Sequence, residues 1–204
     1  MIAATDTTDG YTRLNVGCGR DIKVGWINMD RMPLPGVDIV TDLDDAEIEL
    51  PDDSVDMFLL GDVLEHLMEP LAAMQELHRI ARPNAKMIVH APHGASDEAW
   101  ADPTHVRPMF PESFQYFGQP YYWRADYGYR GDWRVNMVRL LIDKKHRDPD
   151  LYTLNSDIEL MRNIVLKMSA ILYAVKPIRQ PARELIEPVR VEYAAVDMTK
   201  GVRV

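Results

Sequence analysis

The segment Arg13 to Asp30, RLNVGCGRDIKVGWINMD, holds the residues whose types and spacing first suggest chemistry. Gly17, Cys18 and Gly19 follow one short apolar run, and Asp30 ends the next. A strand that ends in Gly-x-Gly turns sharply and bares backbone N–H groups, so a ligand can lie against the main chain. A carboxylate at the tip of the neighbouring strand accepts two hydrogen bonds from a ribose diol. The pair predicts a nucleoside-containing cofactor. A pyrophosphate is disfavoured. The third glycine of the dinucleotide fingerprint is missing, Arg20-Asp21 stands there instead, and the spacing from Gly17 to Asp30 is short for that fingerprint.

Other side chains are candidates for the reaction itself. His93 and His105 are candidate general bases, because imidazole titrates near neutral pH. Asp102, three residues before His105, either orients that imidazole or caps its loop. Arg107 either binds an anionic acceptor or pairs with an acid structurally. Tyr116 lies in FQYFGQPYYWRADYGYRGDW, a stretch dense in Tyr and Trp. That stretch either lines a pocket for a planar or sugar-like acceptor or forms an aromatic lid. Glu65 and His66 fall on the turn before a helix, where capping and packing explain them. Cys18, the single cysteine, is a small packing residue rather than a nucleophile. His90 and His93 are three apart on a strand end, not on a helix face, so no metal site is expected.

These residues need a scaffold. Leu14 to Val16, Ile27 to Asp30, Val37 to Val40, Val55 to Leu60 and Lys86 to Ala91 are short apolar runs between turn signals. Such runs suit the buried strands of a parallel sheet. Pro70 opens a helix whose apolar residues Leu71, Met74, Leu77, Ile80 and Ala81 keep helical spacing, and Pro83-Asn84 ends it. The order of elements predicts an α/β fold. The segments between the first three strands are too short for crossover helices and must be turns. Trp133 to Ile142 reads as a long strand and Val189 to Val196 as the last one. Between them, Ser156 to Glu159 has capping-box spacing, which predicts a helix to about Val175 with a wide apolar face that includes Ile164, Val165, Met168, Ile171 and Leu172. A second short helix is expected over Pro181 to Ile186.

The chain has 204 residues, so one domain is expected. Its formal net charge of -9 lacks the basic footprint of a duplex binder, which makes nucleic acid a disfavoured partner. One cysteine fits a reducing compartment. The first residues show no basic region followed by an apolar core, and no apolar run reaches the ~18 residues of a membrane span. The expected location is cytoplasmic.

At this point a family resemblance enters. LNVGCGRDIKVGWINMD resembles the first motif of class I S-adenosylmethionine-dependent methyltransferases, in a compact methyltransferase type 11-like subgroup where a "GWxNxD" segment closely follows the glycine elbow. VDIVTDLDD is similar to the third-strand acid motif, and LPDDSVDMFLLGDVLEHL to a block ending in VLEHL. ELHRIARPNAKMIVHAPH and ADPTHVRPMFPESFQYF resemble later blocks of the same group, so the likeness runs from about Arg13 to Phe117. It implies a Rossmann-like, seven-stranded, mostly parallel sheet with S-adenosyl-L-methionine across the carboxyl ends of the strands. Gly17, Cys18 and Gly19 would run beside the methionine part, and Asp30 would hold the ribose. Asp42 would meet the adenine amino group beside the Leu43 backbone, and Gly61 and Asp62 would line the cofactor. Asp62 stands where the family usually has another residue type, and Asn84-Ala85 replaces a Gly-Gly turn.

On this reading residues 1–204 form one methyltransferase domain. Its cofactor half is 12–95 and its acceptor half 96–204, with a helical insertion at about 144–187. That insertion packs on its own sheet, contacts a second copy in a homodimer, or covers the acceptor. The expected acceptor is a small molecule, a sugar or secondary metabolite methylated at oxygen or nitrogen. Two rivals remain: a nucleoside or nucleic-acid base methyltransferase, and a non-catalytic cofactor-binding scaffold.

Overall fold

The structure, a computed structural model, describes residues 10–45, 47–143 and 165–196. Five strands come first: β1 (Arg13–Val16), β2 (Ile27–Asp30), β3 (Ile39–Val40), β4 (Val55–Gly61) and β5 (Ala81–Pro92). The last three are β6 (Trp133–Asp143), β7 (Val165–Ala174) and β8 (Val191–Val196). They form one sheet in the order β3-β2-β1-β4-β5-β7-β6-β8. Strands β1 to β5 pair in parallel. Strand β7 runs antiparallel between β5 and β6, and β8 adds to β6 in parallel at the outer edge. The α/β class is as expected, with one strand more than the expected seven.

The strand order reverses between β1 and β4, and both strands run the same way. Their carboxyl ends align, since Val16 is level with Met29 on one side and with Leu60 on the other. An open α/β sheet places its ligand crevice at such a reversal.

One helix of length, α1 (Pro70–Ile80), covers this part of the sheet among the described residues. Pro70 occupies its first turn, where the missing N–H costs nothing. It buries Ala73, Met74, Leu77, His78 and Ile80; of the predicted face Leu71 is half-buried, and Ala81 and Pro83-Asn84 already belong to β5, so the helix ends sooner than expected. No side chain at Glu69 caps it. Asp44, in the β3–β4 loop, instead holds the turn that leads into it, accepting the N–H groups of Met68 (3.1 Å) and Glu69 (2.9 Å). Trp133 locks the helix to the sheet. Its Nε1 donates to the Met74 carbonyl at 2.9 Å, and its ring meets Phe58 edge-on at 5.7 Å.

The connections after β1 and β2 are turns, as their lengths required. Two buried asparagines brace the first of them. Asn15 Nδ2 donates to the Asp21 carbonyl (2.8 Å) and to Asn28 Oδ1 (3.0 Å), and Asn28 Oδ1 also accepts the Lys23 N–H (2.8 Å). Buried amides without partners would be costly, so these bonds let a loop replace a covering helix.

The helix expected up to Val175 is not there. Val165–Ala174 is strand β7, with Val165, Met168, Ala170, Leu172 and Ala174 buried and half-buried residues between them. Its start, at Ser156 to Glu159, lies outside the described residues. A run of apolar residues satisfies a helical period and a strand period alike. Leu166, Lys167, Met168, Ala170 and Ala174 favour helix by propensity, yet pairing with β5 and β6 decides the outcome. The helical insertion is thereby corrected over these residues. The expected short helix over Pro181 to Ile186 is a single 3-10 turn, Arg183–Leu185. The long strand from Trp133 is as predicted.

The aromatic stretch forms two 3-10 helices, Pro111–Phe117 and Gln119–Trp123. Asp132, fully buried, anchors this corner at the amino end of β6. Its carboxylate accepts from the Gln119 N–H (3.2 Å) and from Arg179 N (2.9 Å), Nε (2.9 Å) and Nη2 (2.7 Å).

Candidate functional site

A cavity of about 380 Å³ opens at the carboxyl ends of β1, β2 and β4. Of the residues predicted to hold a cofactor, Gly17, Asp30, Asp42, Leu43 and Asp62 line it. The backbone explains the elbow. Gly17 sits at φ 61°, and a Cβ there would stand 2.6 Å from Val63 Cγ2. Gly19 also has positive φ, 51°, but a Cβ on it would meet nothing within 4 Å. Cys18 and Gly19 are absent from the lining. The Cys18 N–H donates to the Met29 carbonyl (3.0 Å) and its side chain is buried. Burial, and then Asp30, push the Cys18 thiol above its usual value, so it stays protonated and unreactive. Gly61 is the exposed last residue of β4 and does not line the cavity.

Asp30 has two tasks. Its Oδ2 accepts the Gly19 N–H at 2.7 Å and its Oδ1 the Met32 N–H at 2.9 Å, which pins the elbow to β2. A carboxylate has about four lone-pair sites, so each oxygen keeps one for a ligand. Asp42 Oδ1 accepts the Asp44 N–H at 3.1 Å and shapes the loop after β3. Asp62, at φ 54°, receives Lys167 Nζ on Oδ2 at 3.0 Å. Four acids, Asp30, Asp42, Asp44 and Asp62, outnumber Arg31 in the lining, so the cleft favours a cation over a polyanion.

The cavity also takes in Val63, His66, Leu67 and Thr104, which sequence reasoning had not assigned to it. His66 had been read as packing, and Thr104 stands between the predicted Asp102 and His105. Asp102 Oδ1 accepts both the N–H (2.8 Å) and the hydroxyl (2.6 Å) of Thr104. Those bonds hold the Asp102 carboxyl below its usual value. The single hydroxyl proton of Thr104 is thus committed, so the oxygen accepts from His66 Nδ1 at 3.0 Å. His105 Nδ1 faces the Ala99 carbonyl at 3.1 Å and must carry its proton too. In its neutral form each ring then carries its lone pair on Nε2, which in His105 stands 3.8 Å from Asp102 Oδ2. The two rings lie 4.7 Å apart, edge to face.

The remaining predicted residues lie off the cleft. His93 is buried, accepts the Ala95 N–H on Nδ1 (3.2 Å) and packs edge-on against Phe110 at 5.3 Å. Burial pushes its pKa down. Arg107 Nη2 donates to the carbonyls of Leu67 and Met68, tying the 102–107 loop to the turn before α1. Tyr116 packs on Tyr121 at 4.1 Å and borders a separate aromatic cavity of about 440 Å³. Glu65 is 1 % exposed, and burial pushes its carboxyl up to about 7.

Residues 14–89 match the family model described as a methyltransferase domain. No curated protein matches the chain. Among solved structures, it is similar to a SAM-dependent methyltransferase from Archaeoglobus fulgidus at 19 % identity, covering 80 % of this chain and 86 % of that one, with TM-score 0.52. A methyltransferase in complex with the Haloferax volcanii Trm112 activator matches at 17 % identity over 81 % and 83 % of the two chains, TM-score 0.52. The YcgJ protein from Bacillus subtilis matches at 13 % identity over 81 % and 92 %, TM-score 0.52. The chain therefore has the fold of S-adenosylmethionine-dependent methyltransferases. No helix among the described residues is long and apolar enough to cross a membrane.

Proposed function

We propose that the chain is an S-adenosylmethionine-dependent methyltransferase acting on oxygen or nitrogen of a small molecule, a sugar or secondary metabolite. The observation that carries this reading is the cavity at the β1–β4 reversal, lined by Gly17, Asp30 and Asp42 from three adjacent connections. An adenosyl group fits these residues. Gly19 leaves open space beside its α-carbon, and Asp30 keeps a free lone pair on each oxygen for a diol. The acidic lining also suits a sulfonium. When bound, this cofactor supplies an electrophilic methyl group.

The chain's own part is to position the acceptor and remove its proton. His105 is the preferred base over His93, because its ring adjoins His66 in the cleft wall while His93 is sealed under Phe110. The carboxylates around the cleft speak against a long nucleic acid as acceptor.

Calorimetry with S-adenosylmethionine and its demethylated product tests binding. Release of that product over a panel of hydroxyl and amine acceptors tests turnover. Binding of both nucleosides with turnover of one acceptor class supports the proposal. Binding without turnover of any acceptor favours the scaffold rival, and no binding removes the proposal.

A further inference from the structure

We infer that Glu65, His66 and His105 form a site for a divalent first-row transition-metal ion beside the cofactor cleft. Their ligand atoms all lie within 4.8 Å of one another. Glu65 comes from the turn after β4 and His105 from a loop many residues later. The two are stitched together by the Val106 N–H, which donates to the Glu65 carbonyl at 2.9 Å.

Two features distinguish this cluster from a packing contact. The first is Glu65. It is 1 % exposed, yet neither carboxylate oxygen has a hydrogen-bond partner. A buried carboxylate without partners costs several kcal/mol unless something compensates it, and roughly nine in ten buried polar groups are satisfied. Lys167, whose charge bears on it, is engaged by Asp62 (3.0 Å) and Glu98 (3.4 Å). The second is the tautomers. Both imidazoles give their Nδ1 proton to fixed oxygens, Thr104 and Ala99. Outer oxygens of this kind orient metal-bound histidines, leaving Nε2 as donor.

Two imidazoles and one carboxylate suit zinc, cobalt, iron, nickel or manganese, and leave coordination positions open. With bonds of about 2.1 Å a tetrahedral set needs about 3.4 Å between donors, so the widest gap must close by about 1.4 Å. Rotation of the Glu65 carboxylate, which no hydrogen bond holds, and of the His66 imidazole, which borders the open cleft, covers that distance. His66 and Thr104 line the cleft, so an open position faces it. The ligand class is an oxygen donor, a hydroxyl or carboxylate of the acceptor, which the ion would acidify in place of a free His105 base. That last assignment rests on the function proposed above, whereas the ion site does not.

The test is titration of the chelator-stripped full chain with cobalt(II) and zinc(II), by calorimetry and by the visible absorption of cobalt. One ion per chain at micromolar Kd or tighter is expected. Glu65→Gln, His66→Gln and His105→Gln should each raise Kd at least tenfold, while His78→Gln leaves it unchanged. Circular dichroism checks that each variant is folded, and any one folded variant suffices. Millimolar or substoichiometric binding overturns the inference, as does tight binding that survives these substitutions. Metal binding without nucleoside binding keeps this site and removes the proposed function. Nucleoside binding without metal does the reverse.

Discussion

Replacing Gly17 with alanine should destabilise the ligand-free protein through two separable effects. The residue sits at φ 61°, where a side chain costs about 1–2 kcal/mol. The new Cβ would also stand 2.6 Å from Val63 Cγ2, well inside contact distance, and Val63 is buried. Forcing a methyl into a packed site costs about 1–3 kcal/mol more. Gly19 is the internal control. Its φ is 51°, but an added Cβ meets nothing within 4 Å, so Gly19→Ala should show only the backbone cost of about 1–2 kcal/mol. Urea denaturation measures both, read as a change in midpoint at constant slope. The clash is isolated by adding Val63→Ala. In a double-mutant cycle, Gly17→Ala and Val63→Ala should couple favourably by about 1–3 kcal/mol, because the shortened side chain removes the collision. Gly19→Ala and Val63→Ala should add. Equal losses for the two glycines, or no coupling between 17 and 63, would refute the claim that the elbow is packed against the turn after β4.

Asp30→Ala should weaken nucleoside binding by about 1.5–3 kcal/mol, the scale of charged hydrogen bonds, and calorimetry reads it as a Kd roughly ten- to a hundredfold higher. Unchanged affinity would leave Asp30 only its bonds to Gly19 and Met32. Asp132→Ala should cost about 3–5 kcal/mol in urea denaturation, since it strips the partners from Arg179 and from a buried N–H. A loss under ~1 kcal/mol would show that this corner contributes little. His78 sets a pH dependence. Burial, and then Lys176, push its pKa down, and the neutral ring gives Nε2–H to the Val175 carbonyl at 3.2 Å. The unfolded ring takes a proton near pH 6.5 while the folded one resists, so its contribution is present above about 6.5 and lost as pH falls below it. His78→Gln should flatten the melting-temperature profile between about pH 7 and 5.5; an unchanged slope would assign it to other groups.

The amino-terminal half was legible because its signals are local. Pro70 and the i, i+3, i+4 spacing marked α1, short apolar runs between turns marked β1, β2 and β4, and the length of the gaps marked the missing helices. Gly17 and Asp30 were legible for the same reason, each lying at a strand tip, whereas Asp42 came from the family resemblance of VDIVTDLDD. Strand β7 was not, since its residues fit both periods and its identity comes from two flanking strands distant in sequence. Asp44 at the turn before α1, and Asn15 with Asn28 under the first loop, depend on tertiary bonds that no spacing announces. The meeting of Glu65, His66 and His105 is of the same kind. The only hint was VLEHL together with DPTH, two short blocks that the fold folds back on one another.

The central claim is that an adenosine group lies over the bend at Gly17 to Gly19, held by carboxylates from neighbouring strand tips. A crystal structure with the demethylated cofactor tests it most directly. The account predicts ribose hydroxyls on Asp30 and the adenine beside Asp42 and Leu43. Nucleoside density elsewhere on the chain, or Asp30 and Asp42 without contact to it, would contradict the account.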